Sequence, residues 1–165
     1  MLGAVLLLLA CDGAAPAPHS AAPAKRTTPQ KRAAVDAAPE LTGPLVWLDG
    51  PDGPVRVRVE IAKDPATRER GLMYRRQMDE DAGMVFLFDA PEVQVFWMKN
   101  TYLPLDMIFI GADMRVAGIV ENAEPLTLTG RQVDLPSQYV LEVNAGFSRR
   151  HGIGPGAPVR FEGVR

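Results

Sequence analysis

A single cysteine, Cys11, in 165 residues excludes an intramolecular disulfide framework. With only two histidines beside it, the chain is short of ligands for a zinc site, and no metal or other cofactor is expected. Charge of one sign is scarce too. The 18 Lys and Arg against 20 Asp and Glu leave a net charge of −2, whereas a protein that holds nucleic acid through its phosphates carries a basic excess. Nucleic acid is therefore not an expected partner. Long hydrophobic runs are missing as well. The one sustained apolar stretch, residues 2–10 (LGAVLLLLA), would as a helix of about 1.5 Å per residue cover under half of the roughly 30 Å of a bilayer core. It cannot span.

What that stretch can do is address the chain. A short apolar run ending in small residues reads as the h-region of a secretory signal. Leu8-Leu9-Ala10-Cys11 resembles the bacterial lipoprotein signal, in which the Cys becomes the lipidated first residue of the mature protein. Leu9 is bulkier than the residue usual there, and no Lys or Arg precedes the run. The alternative is a plain cleaved signal, cut within residues 14–17, with Cys11 discarded. Either way the protein is expected outside the cytoplasm, and in the first case it is anchored to a membrane through Cys11.

Proline and glycine, at 15 each, are abundant, but unevenly placed. Five of the prolines fall in residues 11–40, a stretch of Ala, Pro, Ser, Thr and charges in which Val35 is the only large aliphatic. Such a composition buries too little surface to offset the entropy of ordering and predicts a disordered tether. Four basic and three acidic side chains lie in it, leaving 14 and 17 for the remainder. The pairs Lys25-Arg26 and Lys31-Arg32 could meet an anionic lipid or cell-wall surface at about 1 kcal/mol per charge.

The division is thus a signal over 1–10, a linker over 11–40 and a domain over 41–165. In the domain, residues 55–61 (VRVRVEI) alternate with period two, as a half-buried strand does. Asp64-Pro65 supplies an N-cap and a first helical residue for a short helix ending at Gly71. Strands are predicted over 84–88, 93–98, 105–110, 114–120, 139–143 and 159–161, with a hairpin turn at 111–113 and a helix or turn over 146–152. The fold class is mainly β of the α+β type, a single β-rich domain with one or two short helices, for which a small barrel is one closure.

The densest segment is Phe96-Trp97-Met98-Lys99-Asn100-Thr101-Tyr102-Leu103-Pro104-Leu105-Asp106. With Gly71-Leu72-Met73-Tyr74-Arg75, Gly83-Met84-Val85-Phe86 and Tyr139-Val140-Leu141-Glu142, it resembles the bacterial and archaeal family known as Domain of Unknown Function 192. The resemblance runs over roughly residues 55–164, and Gly146 and Gly152 also match its recurring pattern. It implies a compact β-rich fold and carries no catalytic assignment.

The residues themselves must supply the chemistry. Asp106 shares a strand face with Ile108 and Ile110, and Glu142 shares one with Val140. A carboxylate on an apolar face is costly unless paired or hydrogen-bonded. The structural expectation is that Asp106 accepts backbone N–H groups of the Asn100-Thr101 turn and that Glu142 pairs with Arg75. The functional one is a pocket for a small polar ligand, a glycan or a carboxylate, lined by Arg75, Trp97, Lys99, Asn100, Asp106 and Glu142. Trp97 is either a core residue or a stacking platform. An enzyme using Asp106 and Glu142 as acid and base in one cleft, and an accessory envelope protein whose signature residues only hold the fold, are the alternatives. Gly-Ile-Gly-Pro-Gly at 152–156 lacks the βαβ setting of a dinucleotide site.

Overall fold

The computed structural model describes residues 42–165; the signal, Cys11 and the linker lie outside the described residues. Seven strands form one sheet: β1 (Leu45–Gly50), β2 (Gly53–Ala62), β3 (Ala82–Glu92), β4 (Leu105–Ile110), β5 (Val116–Ala123), β6 (Ser137–Asn144) and β7 (Val159–Glu162). Two short helices accompany them, α1 (Pro65–Arg70) and α2 (Phe147–Arg150). No helix among the described residues is long and apolar enough to cross a membrane.

The strand order is β5-β4-β6-β3-β2-β1-β7. Of the described pairs only β2–β3 is parallel, and a parallel neighbour needs a crossover, which residues 63–81 supply. Asp64 caps α1 by accepting from the Thr67 N–H at 3.0 Å, while the Thr67 hydroxyl accepts from the Asp64 N–H at 3.2 Å. Pro65 opens the helix, and Gly71, at φ 45°, ends it by donating to the Thr67 carbonyl.

The sheet curls into a half-barrel. Its edges are stitched where Val116 N–H donates to Ala157, Gly156 N–H to Val116 and Val159 N–H to Met114. Inside the curl pack Val46, Val57, Val85, Ile108, Leu141 and Phe147. The outer face carries a second core, including Leu72, Phe86, Met98, Met107 and Phe109, roofed by the crossover and by a strap over residues 93–103. Lying between two cores, β4 is buried at all six positions.

Three differences from the sequence reading have physical causes. β1 was not anticipated; Pro51 and Asp52 with Gly53 at φ 116° turn it back onto β2, and this Pro-Asp-Gly turn after an apolar run was its signal. β3 runs on through Pro91 because the register breaks between Leu87 and Glu92, and a bulge can hold proline. Residues 93–98 form no strand. They make one bridge, Phe96 with Arg131.

Candidate functional site

β6 lies between β3 and β4, and its register decides where the two carboxylates point. Glu142 stands opposite Met84 on β3 and Met107 on β4, and Met84 stands beside Glu60 on β2. A row Glu60–Met84–Glu142–Met107 thus crosses four strands on the outer face. Asp106 stands opposite Val143, whose side chain belongs to the inner core. Asp106 and Glu142 therefore project from opposite faces of the sheet. They do not meet in one cleft, and the acid–base pairing read from the sequence is not formed.

Asp106, fully buried, accepts three backbone N–H groups: Asn122 at 2.9 Å, Gly146 at 3.0 Å and Ser148 at 2.9 Å. The expected donors, the Asn100-Thr101 turn, lie elsewhere. What Asp106 pins is the start of α2 and the end of β5, because Gly146, at φ 81°, turns the amides of 146 and 148 toward it.

Glu142 is 5% exposed, and no hydrogen bond or ion pair reaches its carboxyl among the described residues. The expected partner, Arg75, instead makes a two-pronged contact with Glu60, whose carboxyl it holds below the usual range chiefly through those hydrogen bonds. Met84 stands between Glu60 and Glu142, so the guanidinium that reaches one does not serve the other. Desolvation alone pushes the Glu142 carboxyl up to about 8, which keeps it protonated at neutral pH.

The Glu142 side chain opens on a cavity of about 220 Å³ between the α1 end, β3 and the strap. Phe86, Phe88 and Phe96 form its wall in edge-to-face contact, with centroids 5.0 Å apart for Phe86–Phe96 and 6.3 Å for Phe88–Phe96. Thr101 and Gln94 add polar groups, and Arg68, Glu69 and Arg70 stand along the α1 side. Arg68 donates to the Lys63 and Leu87 carbonyls and lies 5.2 Å from the Phe88 ring centre.

Trp97 also lines this cavity. The strap alternates so that Met98 is buried while Val95 and Trp97 are 60% and 48% exposed; Trp97 is not a core residue. Lys99 Nζ lies 5.5 Å from its ring centre. The strap is held by Phe96 and Arg131 exchanging backbone bonds, by Met98 N–H to Thr127, and by Leu126 N–H to Thr101. Tyr74, Asn100 and Leu126 take left-handed φ of 67°, 54° and 59°, and Asn100 joins the strap to the crossover. Its carbonyl accepts from Tyr74 N–H at 2.8 Å and its amide donates to the Tyr74 hydroxyl at 2.8 Å.

Of the six residues singled out from sequence, Trp97 and Glu142 share the cavity. Lys99 lies against Trp97, Asn100 fastens the strap, Arg75 belongs to the neighbouring groove with Glu60, and Asp106 lies across the sheet. The phenylalanines, Thr101, Arg68 and Arg70 were missed. The spacing of Phe86 and Phe88 from Met84, which puts all three on one face of a strand, was the available signal.

Similar chains occur among solved structures. A protein of unknown function from Novosphingobium aromaticivorans DSM 12444 is 40% identical, with a TM-score of 0.68 over 70% of this chain and 83% of that one. A candidate transcription regulator from Sinorhizobium meliloti 1021 is 44% identical, with a TM-score of 0.70 over 76% of this chain and 99% of that one. No curated protein matches. The model of the Domain of Unknown Function 192 family, described as "Uncharacterized ACR", matches residues 48–161, and the chain belongs to that family.

Proposed function

We propose that this protein is an exported, lipid-tethered module that binds a small polar ligand, a glycan or a carboxylate, in the Glu142 cavity. The observation that carries the reading is the carboxyl itself, which has no hydrogen-bond or ion-pair partner among the described residues and opens on an aromatic-walled space. Drawing a carboxyl out of water is costly, and an apolar side chain at 142 would avoid that cost. A ligand entering the cavity supplies the missing partner. At about 220 Å³ the space lies below the roughly 300–1,000 Å³ of drug-sized sites, which suits a monosaccharide or a smaller molecule.

The tether half of the reading rests on the apolar run 2–10 and on Cys11, the only cysteine. A regulator role of the kind named for the Sinorhizobium protein gains little support. The described helices span six and four residues, short for an element that reads a major groove.

The test is a ¹H–¹⁵N titration of the full chain with sugars, sugar acids, cell-wall fragments and common metabolites. Saturable shifts around Glu142, Trp97 and Thr101 are expected, and Glu142→Leu, which keeps an apolar floor and removes the acid, should abolish them. Binding confined to another surface, or no compound that moves the cavity resonances, overturns the reading.

A further inference from the structure

The charges around the cavity select among polar ligands. The groups facing Glu142 can be taken element by element. β3 and β4 present Met84 and Met107, which are neutral. From β2 comes Glu60, already held by Arg75. The α1 side brings Arg68, Glu69 and Arg70, and the strap brings Gln94 and Thr101, with Lys99 on the Trp97 ring. Arg68 is spent on two carbonyls but keeps its charge, while Arg70 is exposed and makes no ion pair among the described residues. Two cations, Arg68 and Arg70, therefore stand against one acid, Glu69, in the cavity lining, with Lys99 adding a third charge beyond it on the Trp97 ring.

An ammonium ligand meets two obstacles. It must pass those cations, and Phe88 and Trp97, rings that could otherwise attract it, already lie beside Arg68 and Lys99. An anion is drawn in by the same field. At the floor a carboxyl that keeps its proton has one O–H to donate and no acceptor for it among the described residues. An O–H to carboxylate bond is charge-assisted and about twice as strong as a neutral one.

We propose that the cavity takes a small organic carboxylate, bound as its anion, with a ligand oxygen accepting the Glu142 O–H and Arg70 balancing the charge at the mouth. This rests on the reading of the cavity as the ligand site. It makes binding depend on a proton that Glu142 holds. Since burial sets that carboxyl at about 8 in the free protein, affinity is level from about pH 5, where the ligand is already an anion, up to that value, and falls toward roughly tenfold per unit above it.

Calorimetry and ¹H–¹⁵N titration of the full chain distinguish the outcomes. The probes are glucuronate and benzoate, their neutral counterparts glucose and benzyl alcohol, and benzylamine. At pH 6.5 at least one carboxylate should bind at least about tenfold more tightly than its neutral counterpart, the gain of a charge-assisted bond, and benzylamine should not bind. Glu142→Gln, whose amide still donates, should retain binding within about tenfold and lose the fall at high pH. Arg70→Ala, an exposed change that leaves the fold intact, should weaken the carboxylate severalfold and reduce its salt dependence.

Preference for benzylamine, or loss of carboxylate binding in Glu142→Gln, overturns the assignment. So does equal binding of neutral and acidic probes, yet those results leave a ligand at the cavity and the broader reading intact. If none of the five moves the cavity resonances, the carboxylate assignment falls. The broader reading falls with it only if the wider titration is silent too.

Discussion

Asp106 and Glu142 are both carboxyl groups taken out of water, and they meet the cost of burial in opposite ways. Asp106 is given three backbone donors; Glu142 is given none and keeps its proton. Removing Asp106 would orphan three amides, so Asp106→Ala should lower stability by at least about 3 kcal/mol, since each buried amide left unpaired costs on the order of 1–3 kcal/mol, read as the urea midpoint. Ser148 makes the contrast. Its hydroxyl is buried without a partner, so Ser148→Ala should be neutral or slightly stabilising; a loss above about 1 kcal/mol would mean the hydroxyl is satisfied after all. Glu142 adds a pH signature. Its carboxyl titrates near 4.5 when unfolded and near 8 when folded, so between those values the native state binds the proton that the unfolded chain has released. The stabilisation is complete below pH 4.5 and is lost as pH rises through 8, at a limiting slope of about 1.4 kcal/mol per pH unit. Glu142→Gln should flatten this decline in urea melts taken from pH 5 to 9. An unchanged slope would place the titration elsewhere.

At the scale of elements, the strap decides whether the outer face has a cavity at all. Without residues 93–103 folded over Phe86 and Phe109, that face would be open sheet. Asn100 is where the strap is fastened, and a left-handed φ of 54° suits Asn better than most residues. Asn100→Ala loses the Tyr74 hydroxyl contact and strains the turn, so a cost of about 1–2 kcal/mol is expected. Hydrogen exchange should show the Tyr74 and Leu126 amides opening faster while the β6 amides keep their protection. Uniform loss across the sheet would mean the strap does not open separately. The elements also show what the sequence could reveal. Period-two alternation found β2, the cap found α1, the continuous apolar run over 84–88 found β3, and the turn at 111–113 found β4 and β5 on either side of it. Each of these signals is local. The sense in which two strands pair is not local, so that Asp106 and Glu142 each looked like an acid on an apolar face, while the fact that the faces differ depends on Asp106 standing opposite Val143. The Arg75 contact failed for the same reason, since its partner lies 15 residues back on β2. The extended run 93–98 reads like a strand because its side chains alternate, yet only Phe96 finds a backbone partner in a bridge.

For the whole molecule, the described residues 42–165 carry all seven strands of the sheet and both of its cores. On the reading proposed above, Cys11 serves location. A diacylglyceryl group on its thiol would add two acyl chains, each buried CH₂ contributing about 0.8 kcal/mol, and two chains are what stable anchoring takes. Expressed with its leader in a bacterium, the full chain should sediment with membranes and enter the detergent phase on cloud-point extraction, and its mature N-terminus should be a blocked, lipid-bearing Cys11. Cys11→Ala should move the protein to the aqueous phase or leave it unprocessed, with the melting temperature of the domain unchanged. A mature chain that begins within residues 14–17 would sink the anchor while keeping export, because the thiol would have left with the leader. Retention of the uncleaved chain in the cytoplasm would sink both.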